Sequence, residues 1–112
     1  MMDCVFCKMA AGEIPVEPVL ENDLLMVIRD INPQAPTHLL VVPKRHYRSI
    51  LDCGDGDLPG EMLKAAVEVA GKMGFAESGF RTVVNTNPDG GQTVWHLHMH
   101  VLAGRPLSGA MG

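Results

Sequence analysis

The most informative segment of the sequence is GGQTVWHLHMHVL, residues 90–102. Three of the five histidines, His96, His98 and His100, alternate with apolar residues in its second half. In a β-strand, residues i, i+2 and i+4 point to one face, so a strand gathers the three imidazoles in a row with steps of roughly 7 Å. A helix would turn each successive histidine by about 200° and scatter them. The alternation therefore predicts a strand with the histidines on one face and the intervening apolar residues on the other.

The size and composition indicate one globular domain covering residues 1–112, with 46% hydrophobic and 20% charged residues. The net charge of −4 is spread along the chain, and no basic run exceeds Lys44-Arg45. This pattern argues against nucleic acid as a partner. The sequence has neither 18 consecutive apolar residues nor an N-terminal secretion signal, so we expect a cytoplasmic protein that is not membrane-bound. Three cysteines, an odd number, do not indicate a secreted disulfide framework.

Local signals predict an α+β fold, with a sheet of about five antiparallel strands, one main helix and a short N-terminal helix. The main helix is expected at 58–73, where apolar residues recur on one helical face and Gly74 follows the end. The short helix is expected at 4–11. The other predicted strands cover residues 19–21, 24–29, 38–42 and 80–86, while 87–91 is expected to be a tight polar loop.

A row of histidines can supply a nucleophile, a general acid or base, or metal ligands. Just before it, two glycines allow close approach of backbone N–H groups to a ligand, beside the Gln92 amide and the Thr93 hydroxyl. Such donors suit a phosphate better than a cation. The combination predicts a phosphorus centre held by Gly91, Gln92 and Thr93 and attacked by one histidine, while a second orients or protonates. For a P–N bond, protonation of the leaving amine is the step that most needs an acid.

The segment HLHMHVL at 96–102 resembles the His-x-His-x-His-x-x signature of the histidine triad (HIT) superfamily, in which x is hydrophobic. Further stretches are similar to its histidine triad nucleotide-binding (Hint) branch, and to the bacterial members in particular. In chain order these are FCK at 6–8, GEIP at 12–15, DINPQAPTH at 30–38, VPK at 42–44, NTN at 85–87, DGGQ at 89–92 and GRP at 104–106.

The resemblance implies a HIT-like fold that forms a homodimer, in which two sheets join into one sheet of ten strands. It also implies a purine nucleoside phosphoramidate hydrolase, which cleaves P–N or acyl-phosphate bonds of AMP or GMP conjugates without a cofactor. His98 would be the nucleophile that forms a nucleotidyl-histidine intermediate. His100 and Thr93 would contact the phosphate and leaving group, and His38 and His96 would belong to a supporting hydrogen-bond relay. Thr93 stands where serine is usual in the branch, which keeps the hydroxyl.

The resemblance also assigns nucleotide-binding positions. Asp30 would accept from the ribose hydroxyls, although an aspartate before Asn-Pro can equally be a turn residue. The purine would lie against Phe6, Met9, Ile28 and Ile31, which read from the sequence alone as plain core. The positions around the ribose-phosphate are Asn85, Gly91 and Gln92. Family substrates include aminoacyl-adenylates made by lysyl-tRNA synthetase.

Cys4-x-x-Cys7 has the spacing of half a zinc site. Some bacterial histidine triad proteins bind zinc through two such cysteines, a histidine shortly after a Pro-Lys pair and the first histidine of the triplet. The matching residues here are Cys4, Cys7, His46 and His96, which makes a structural zinc a hypothesis. The alternative is that the cysteines are small apolar helix residues and that His46 lies on the surface.

Three other functions remain open from the sequence. The first is a dinucleoside polyphosphate hydrolase of the same superfamily, and the second is a nucleotide-binding or protein-interaction module without turnover. The third is a metalloenzyme in which zinc at the histidines activates water. The sequence favours the phosphoramidate hydrolase, because a binding pocket alone would not need His98, His100 and the Thr93 hydroxyl together.

Overall fold

The computed structural model describes residues 4–54 and 56–112 and has the predicted α+β architecture. Residues 1–3, which the sequence assigns to the same domain, and Asp55 lie outside the described part. No helix in that part is long and apolar enough to cross a membrane. The five strands form one antiparallel sheet in the order β1-β2-β3-β5-β4. The elements are α1 (Val5–Ala10), β1 (Leu20–Glu21), β2 (Leu25–Arg29), β3 (Thr37–Pro43), α2 (Asp57–Met73), β4 (Arg81–Val83) and β5 (Met99–Ala103).

Local chemistry favours the start of α1 and the end of α2. Cys4 is the N-cap of α1, and its Sγ accepts the Cys7 N–H at 3.4 Å. Helix α2 ends at Gly74, whose φ of 85° is accessible to glycine without the steric cost of a side chain. The Gly74 N–H donates to the Ala70 carbonyl at 3.0 Å.

Strand β3 lies at the centre of the sheet, between β2 and β5. Its side chains alternate between two apolar layers, as its period of two requires. Leu39 and Val41 join the main core, which includes the apolar face of α2. Leu40 and Val42 join a second cluster, which includes Phe6 of α1. The sheet is therefore buried on both faces, by α2 on one side and by α1 on the other.

The residues between the histidines fall in the main core, as the alternation predicts: Leu97, Met99 and Val101 are at most 2% exposed. The histidines lie on the α1 side, where the Phe6 ring contacts the rings of His96 and His98 at centroid distances of 5.5 and 5.4 Å. The extended segment from His96 to Val101, of which only Met99 onward belongs to β5, therefore presents an apolar face to the core and a row of imidazoles to the opposite side.

The largest differences from the predicted boundaries are in β5 and β4, while the other helices and strands differ by at most one residue at either end. Strand β5 begins only at Met99, because the ladder with β3 cannot continue: Pro43 has no N–H, and its carbonyl accepts the His96 Nε2–H at 2.7 Å. The Leu97 N–H instead donates to the Tyr47 carbonyl at 2.7 Å. Strand β4 ends at Val83 rather than Thr86, and Pro88–Gly90 forms a 3-10 turn within the predicted loop.

Candidate active site

His98 is buried, and its ring orientation is set by a main-chain group. Its Nδ1 lies 2.7 Å from the His96 carbonyl, which can only accept, so Nδ1 carries the proton. In the neutral ring, Nε2 then has the lone pair. Within the described residues, no group forms a hydrogen bond with Nε2. The geometry therefore leaves His98 Nε2 as a free nucleophilic nitrogen.

His38 and His100 form a directional hydrogen-bond chain. The Gln34 N–H donates to His38 Nδ1 at 2.9 Å, so the proton of the neutral His38 ring is on Nε2. His38 Nε2 lies 2.8 Å from His100 Nδ1 and donates to it. The proton of His100 is consequently on Nε2, the nitrogen that points away from His38. This chain makes His100 Nε2–H a donor beside His98, whose ring centroid is 5.1 Å from that of His100.

The electrostatic environment keeps His100 neutral. Burial is the main cause that lowers the pKa of His100 to about 4, and the neighbouring imidazoles of His98 and His38 lower it further, while Asp30 opposes them. At neutral pH, His100 is therefore a hydrogen-bond donor rather than a cation. A neutral donor can contact a phosphate oxygen while its Nδ1 still accepts from His38.

Asp30 has two contacts that bear on both interpretations of this residue. Its Oδ1 accepts the Asn32 N–H at 2.8 Å, which is the turn role considered above. Its Oδ2 lies 3.4 Å from His38 Nε2, and the side chain remains 18% exposed. The carboxylate can thus stabilise the turn, support the His38–His100 pair and still accept from a ligand.

Asp30, His38 and His100 place one ligand atom each within 4.8 Å of the others, which is a metal-like arrangement. The hydrogen bond from Gln34 argues against metal binding there. Because His38 Nδ1 accepts an N–H, its Nε2 would have to lose the ring's only proton before it could bind a cation. The arrangement is better suited to holding protons than to holding a metal.

The glycine-rich loop differs from the predicted nest of backbone donors. The N–H groups of Gly90 and Gln92 donate to the Asn87 carbonyl, and that of Gly91 donates to Pro88, all at 3.0–3.1 Å. Thr93 is exposed, and neither its N–H nor its hydroxyl has an internal partner in the part of the chain that the structure describes. Thr93 is therefore the loop residue with free donors for a phosphate.

Gln92 is 5% exposed and its amide is used inside the protein. Oε1 accepts the Asn87 N–H at 2.9 Å, while Nε2 donates to the carbonyls of Arg48 and Val94 at 2.7 and 3.1 Å. Asn85 is partly exposed, and its Nδ2 donates to the Gly90 carbonyl at 2.7 Å. The structure thus places Asn85 beside the Gly90–Gly91 turn and gives Gln92 an internal hydrogen-bonding role.

The predicted purine residues separate into two groups. Phe6 and Ile28 are buried in the second apolar cluster, and Met9 packs against it. Ile31 is fully exposed, at 101%, in the loop that also carries Asp30. The structure places three of these side chains in one cluster, with Ile31 outside it.

Cys4, Cys7, His46 and His96 converge as the zinc hypothesis predicts, with one ligand atom each within 4.8 Å of the others. His96 Nδ1 lies 3.2 Å from Cys4 Sγ, 3.6 Å from Cys7 Sγ and 3.2 Å from His46 Nδ1, and Cys7 Sγ lies 3.3 Å from His46 Nδ1. Ordinary Zn–N and Zn–S bonds in a tetrahedron give N···N edges of about 3.3 Å and S···N edges of about 3.6 Å. The donor set and its spacing therefore fit zinc.

His96 is completely buried, and neither of its ring nitrogens contacts the rings of His98 or His100. Its Nε2–H donates to Pro43 O at 2.7 Å, so Nδ1 has the lone pair that faces the cysteines and His46. Burial also lowers the pKa of His96. The structure connects His96 to His98 through the His96 carbonyl, and the hydrogen-bond relay in the described residues consists of His38 and His100.

Sequence reasoning missed three groups that position the triad. The carbonyls of Pro43 and His96 fix the rings of His96 and His98, and the Gln34 N–H fixes the ring of His38. Each residue carries a main-chain donor or acceptor whatever its side chain, so no sequence pattern distinguishes these three. Sequence reasoning also missed Arg48 and Trp95, which lie close to the motif residues His46 and His96 in the sequence and line a pocket with Thr93.

The chain matches the family model described as HIT domain over residues 11–107. It is 42% identical over 107 residues to the purine nucleoside phosphoramidase of Escherichia coli K12, covering 94% of this chain and 90% of that protein. It is also 42% identical over 109 residues to protein HitA of Neisseria gonorrhoeae, covering 96% of this chain and 100% of that protein.

Solved structures show the same fold. A histidine triad protein from Clostridium difficile is 46% identical and superimposes with a TM-score of 0.94, covering 98% of this chain and 97% of that one. A HIT family hydrolase from Legionella pneumophila Philadelphia 1 is 46% identical with a TM-score of 0.92, covering 98% of this chain and 100% of that one.

The lowered pKa of His100 makes stability depend on pH. With a pKa of about 4 in the folded chain against an ordinary 6.5, His100 binds a proton first in the unfolded state as the pH falls. We therefore expect the free energy of unfolding to decline from about pH 6.5 to about pH 4. His100→Asn, whose Oδ1 keeps an acceptor near His38, should make this decline shallower in denaturant titrations of chelator-treated protein.

The pKa of His96 is lowered as well, so part of the decline should remain in the His100→Asn variant. Equal declines in both proteins would contradict the lowered pKa.

Proposed function

The chain belongs to the HIT domain family, and on that premise we propose that it is a purine nucleoside phosphoramidase. The observation that carries the proposal is the pairing of two differently protonated histidines. His98 has a free Nε2 lone pair because its Nδ1–H donates to the His96 carbonyl. His100 has a free Nε2–H because its Nδ1 accepts from His38. A nucleophile and a neutral donor side by side suit attack on a phosphorus centre.

In the proposed reaction, His98 Nε2 attacks the phosphorus of an AMP or GMP conjugate and forms a nucleotidyl-histidine intermediate. The bond from phosphorus to the leaving nitrogen, or to the acyl oxygen, breaks. The leaving group takes up a proton from solvent water, relayed through the exposed Thr93 hydroxyl, and His100 Nε2–H donates to a phosphate oxygen. Water then hydrolyses the intermediate, which releases the nucleoside monophosphate and restores neutral His98. No step requires a cofactor.

For substrate binding, we propose that Asp30 accepts from the ribose hydroxyls through the exposed part of its carboxylate. The purine would lie against the side of the second apolar cluster that contains Phe6, Met9 and Ile28, with exposed Ile31 closing over it. Asn85 and Gly91 would line the ribose-phosphate, and Gln92 would act there by holding the loop. Aminoacyl-adenylates from lysyl-tRNA synthetase, encountered in the cytoplasm, form a second substrate class in this proposal.

We expect His98→Asn to lower AMP release from adenosine 5'-phosphoramidate by at least on the order of 10³-fold, because the nucleophile is lost. The Asn amide can still donate to the His96 carbonyl, so AMP binding should stay within a few-fold. Enzyme assays and calorimetry on the same preparations measure both effects. Turnover within tenfold of the unaltered protein would exclude His98 as the nucleophile. If the unaltered protein has no turnover but binds AMP, the binding-module function replaces the enzyme.

The same assay with diadenosine triphosphate separates the two hydrolase classes. The proposal requires faster release of AMP from the phosphoramidate than from the dinucleotide at equal concentration. A preference for diadenosine triphosphate would instead identify a dinucleoside polyphosphate hydrolase.

We also propose that Cys4, Cys7, His46 and His96 hold a structural zinc ion, because their ligand atoms have the spacing of a tetrahedral site. The ion would cross-link the start of α1, the segment after β3 and the segment before β5. Burial raises the pKa of the Cys7 thiol, which a metal would have to overcome to bind the thiolate. The hydrogen bond from His96 Nε2 to Pro43 supports this role, since it leaves Nδ1 unprotonated.

We expect elemental analysis to find about one zinc per chain. Cys7→Ser should lose the zinc and unfold at a lower temperature, whereas Cys53→Ser, which lies outside the cluster, should keep it. For a structural ion, chelated protein that remains folded keeps most of its phosphoramidase turnover. Zinc content that does not change in Cys7→Ser would place the ion elsewhere. Turnover that follows zinc occupancy in folded protein would favour the metalloenzyme.

We further propose a homodimer in which β4 strands of two chains pair. Strand β4 is at the edge of the sheet, so one side of its backbone lacks a strand partner within the described residues. It is followed by Val84, an apolar side chain that is 37% exposed. Val83 of β4 pairs with His100 of β5, which puts this edge one strand away from the site.

Light scattering should give about twice the chain mass of 12.1 kDa. Val84→Glu should shift the protein towards monomer, because the two-fold axis brings the new charges together. Leu24→Glu is a matched control: Leu24 is 52% exposed between β1 and β2, at the far side of the sheet, and should leave the mass unchanged. A monomer in the unaltered protein, or a dimer sensitive to Leu24→Glu only, would contradict pairing through β4.

A further inference from the structure

A pocket of about 530 Å³ opens beside Thr93, and Asp30 is not among its lining residues. Val5, Val94 and Trp95 give it apolar walls, and Arg48 supplies a cation. The volume falls within the range of small-molecule sites, which is about 300–1,000 Å³. Thr93 lines the pocket, and its N–H and hydroxyl are available to bind a phosphate. A group attached to a phosphate bound there would extend into the pocket.

Arg48 is positioned but not neutralised. Its guanidinium carbon lies 4.8 Å from the centroid of the Trp95 ring, and no carboxylate forms an ion pair with it in the part of the chain described. The main-chain carbonyl of Arg48 accepts the Gln92 side-chain N–H at 2.7 Å. Gln92 therefore fixes the Arg48 backbone as well as the glycine-rich loop, where it binds Asn87. A guanidinium stacked on an aromatic face keeps its edge N–H groups available for a carboxylate.

The neighbouring groups make Arg48 the main charge of this pocket. Cys4 and His46 also line it, and they belong to the proposed zinc site. A zinc ion with two thiolates and two neutral imidazoles has no net charge, so the cluster would neither attract nor repel an anion strongly. Trp95 is 39% exposed and Val5 is 37% exposed, which leaves apolar surface for a flat group to cover.

We propose that this pocket binds the leaving group and selects one that carries a carboxylate on a flat apolar body, such as an aromatic amino acid joined to phosphorus through its α-amine. The inference rests on the proposed phosphoramidase function. The carboxylate would accept from the Arg48 guanidinium, and the ring would pack on Trp95 and Val5. When His98 Nε2 bonds to phosphorus, the P–N electron pair goes to the nitrogen, which takes a proton from solvent water through the exposed Thr93 hydroxyl. The free amino acid then leaves from the pocket.

The test uses three adenosine 5'-phosphoramidates whose phosphorus is joined to ammonia, phenylalanine or phenylalaninamide. The last two differ only in a carboxylate against a neutral amide. A charge-assisted hydrogen bond is worth about 1.5–3 kcal/mol, so we expect the unaltered protein to have at least a ~10-fold higher kcat/KM for the phenylalanine conjugate than for the amide. Arg48→Ala keeps the carbonyl that Gln92 binds, and it should bring this ratio close to one.

Arg45→Ala is the matched control. Arg45 also lies over an aromatic ring, that of Tyr47 at 5.4 Å, but it does not line the pocket, so its loss should keep the ratio. A ratio near one in the unaltered protein, or an undiminished ratio in Arg48→Ala, would overturn the leaving-group pocket while cleavage of the ammonia conjugate upholds the phosphoramidase. If no conjugate is cleaved, the phosphoramidase itself fails and the pocket assignment fails with it.

Discussion

The hydrogen bond from the buried His96 imidazole to the Pro43 carbonyl is the interaction on which the rest of the site depends. It joins the end of β3 to the segment before β5, where the backbone ladder has stopped. It also fixes the His96 tautomer, so that Nδ1 faces Cys4, Cys7 and His46 with a lone pair. With the ladder ended, the His96 carbonyl accepts from His98 Nδ1 instead of from a strand. Removing this bond would leave a buried carbonyl unsatisfied and free two rings at once.

Three identical side chains acquire three different properties from their hydrogen-bond partners. His96 presents Nδ1 as a lone pair to the cysteine and histidine cluster, and His98 presents Nε2 as a lone pair to the open site. His100 presents Nε2–H as a donor. The Gln34 N–H donates to His38 Nδ1 and His38 Nε2–H donates to His100 Nδ1, which leaves the His100 proton on Nε2. The extended backbone from His96 to His100 makes the imidazoles neighbours. The main-chain groups around them decide which nitrogen can attack, donate or bind a metal.

The sequence predicts well whatever depends on local periodicity. The alternation from His96 to Val101 predicted the two faces of this segment correctly, although only Met99 onward is strand, and the helical spacing of α2 predicted its buried side. Contacts between distant segments could not be predicted. His96 and Pro43 are 53 residues apart, and their bond is what delays β5 until Met99. The resemblance to a family supplied the convergence of Cys4, Cys7, His46 and His96, since spacing alone identifies only the Cys-x-x-Cys half.

The glycine-rich loop shows why donors predicted from composition need not face a ligand. Asn87 has φ 59° and ψ −179°, a backbone region that costs about 1–3 kcal/mol for a residue with a side chain. Gln92 offsets this strain, because its Oε1 accepts the Asn87 N–H and its own N–H donates back to the Asn87 carbonyl.

Gly91 lies at φ 80°, where a side chain would be strained, and its N–H closes the 3-10 turn onto Pro88. The two glycines therefore serve the shape of the turn, and their amides are used in making it. The chain leaves this turn at Thr93, the first residue of this segment with donors that have no internal partner in the described structure, five positions before His98. Under the proposed function, the loop would bind the phosphate through Thr93, and the internal hydrogen bonds of Gln92 would hold the loop in place.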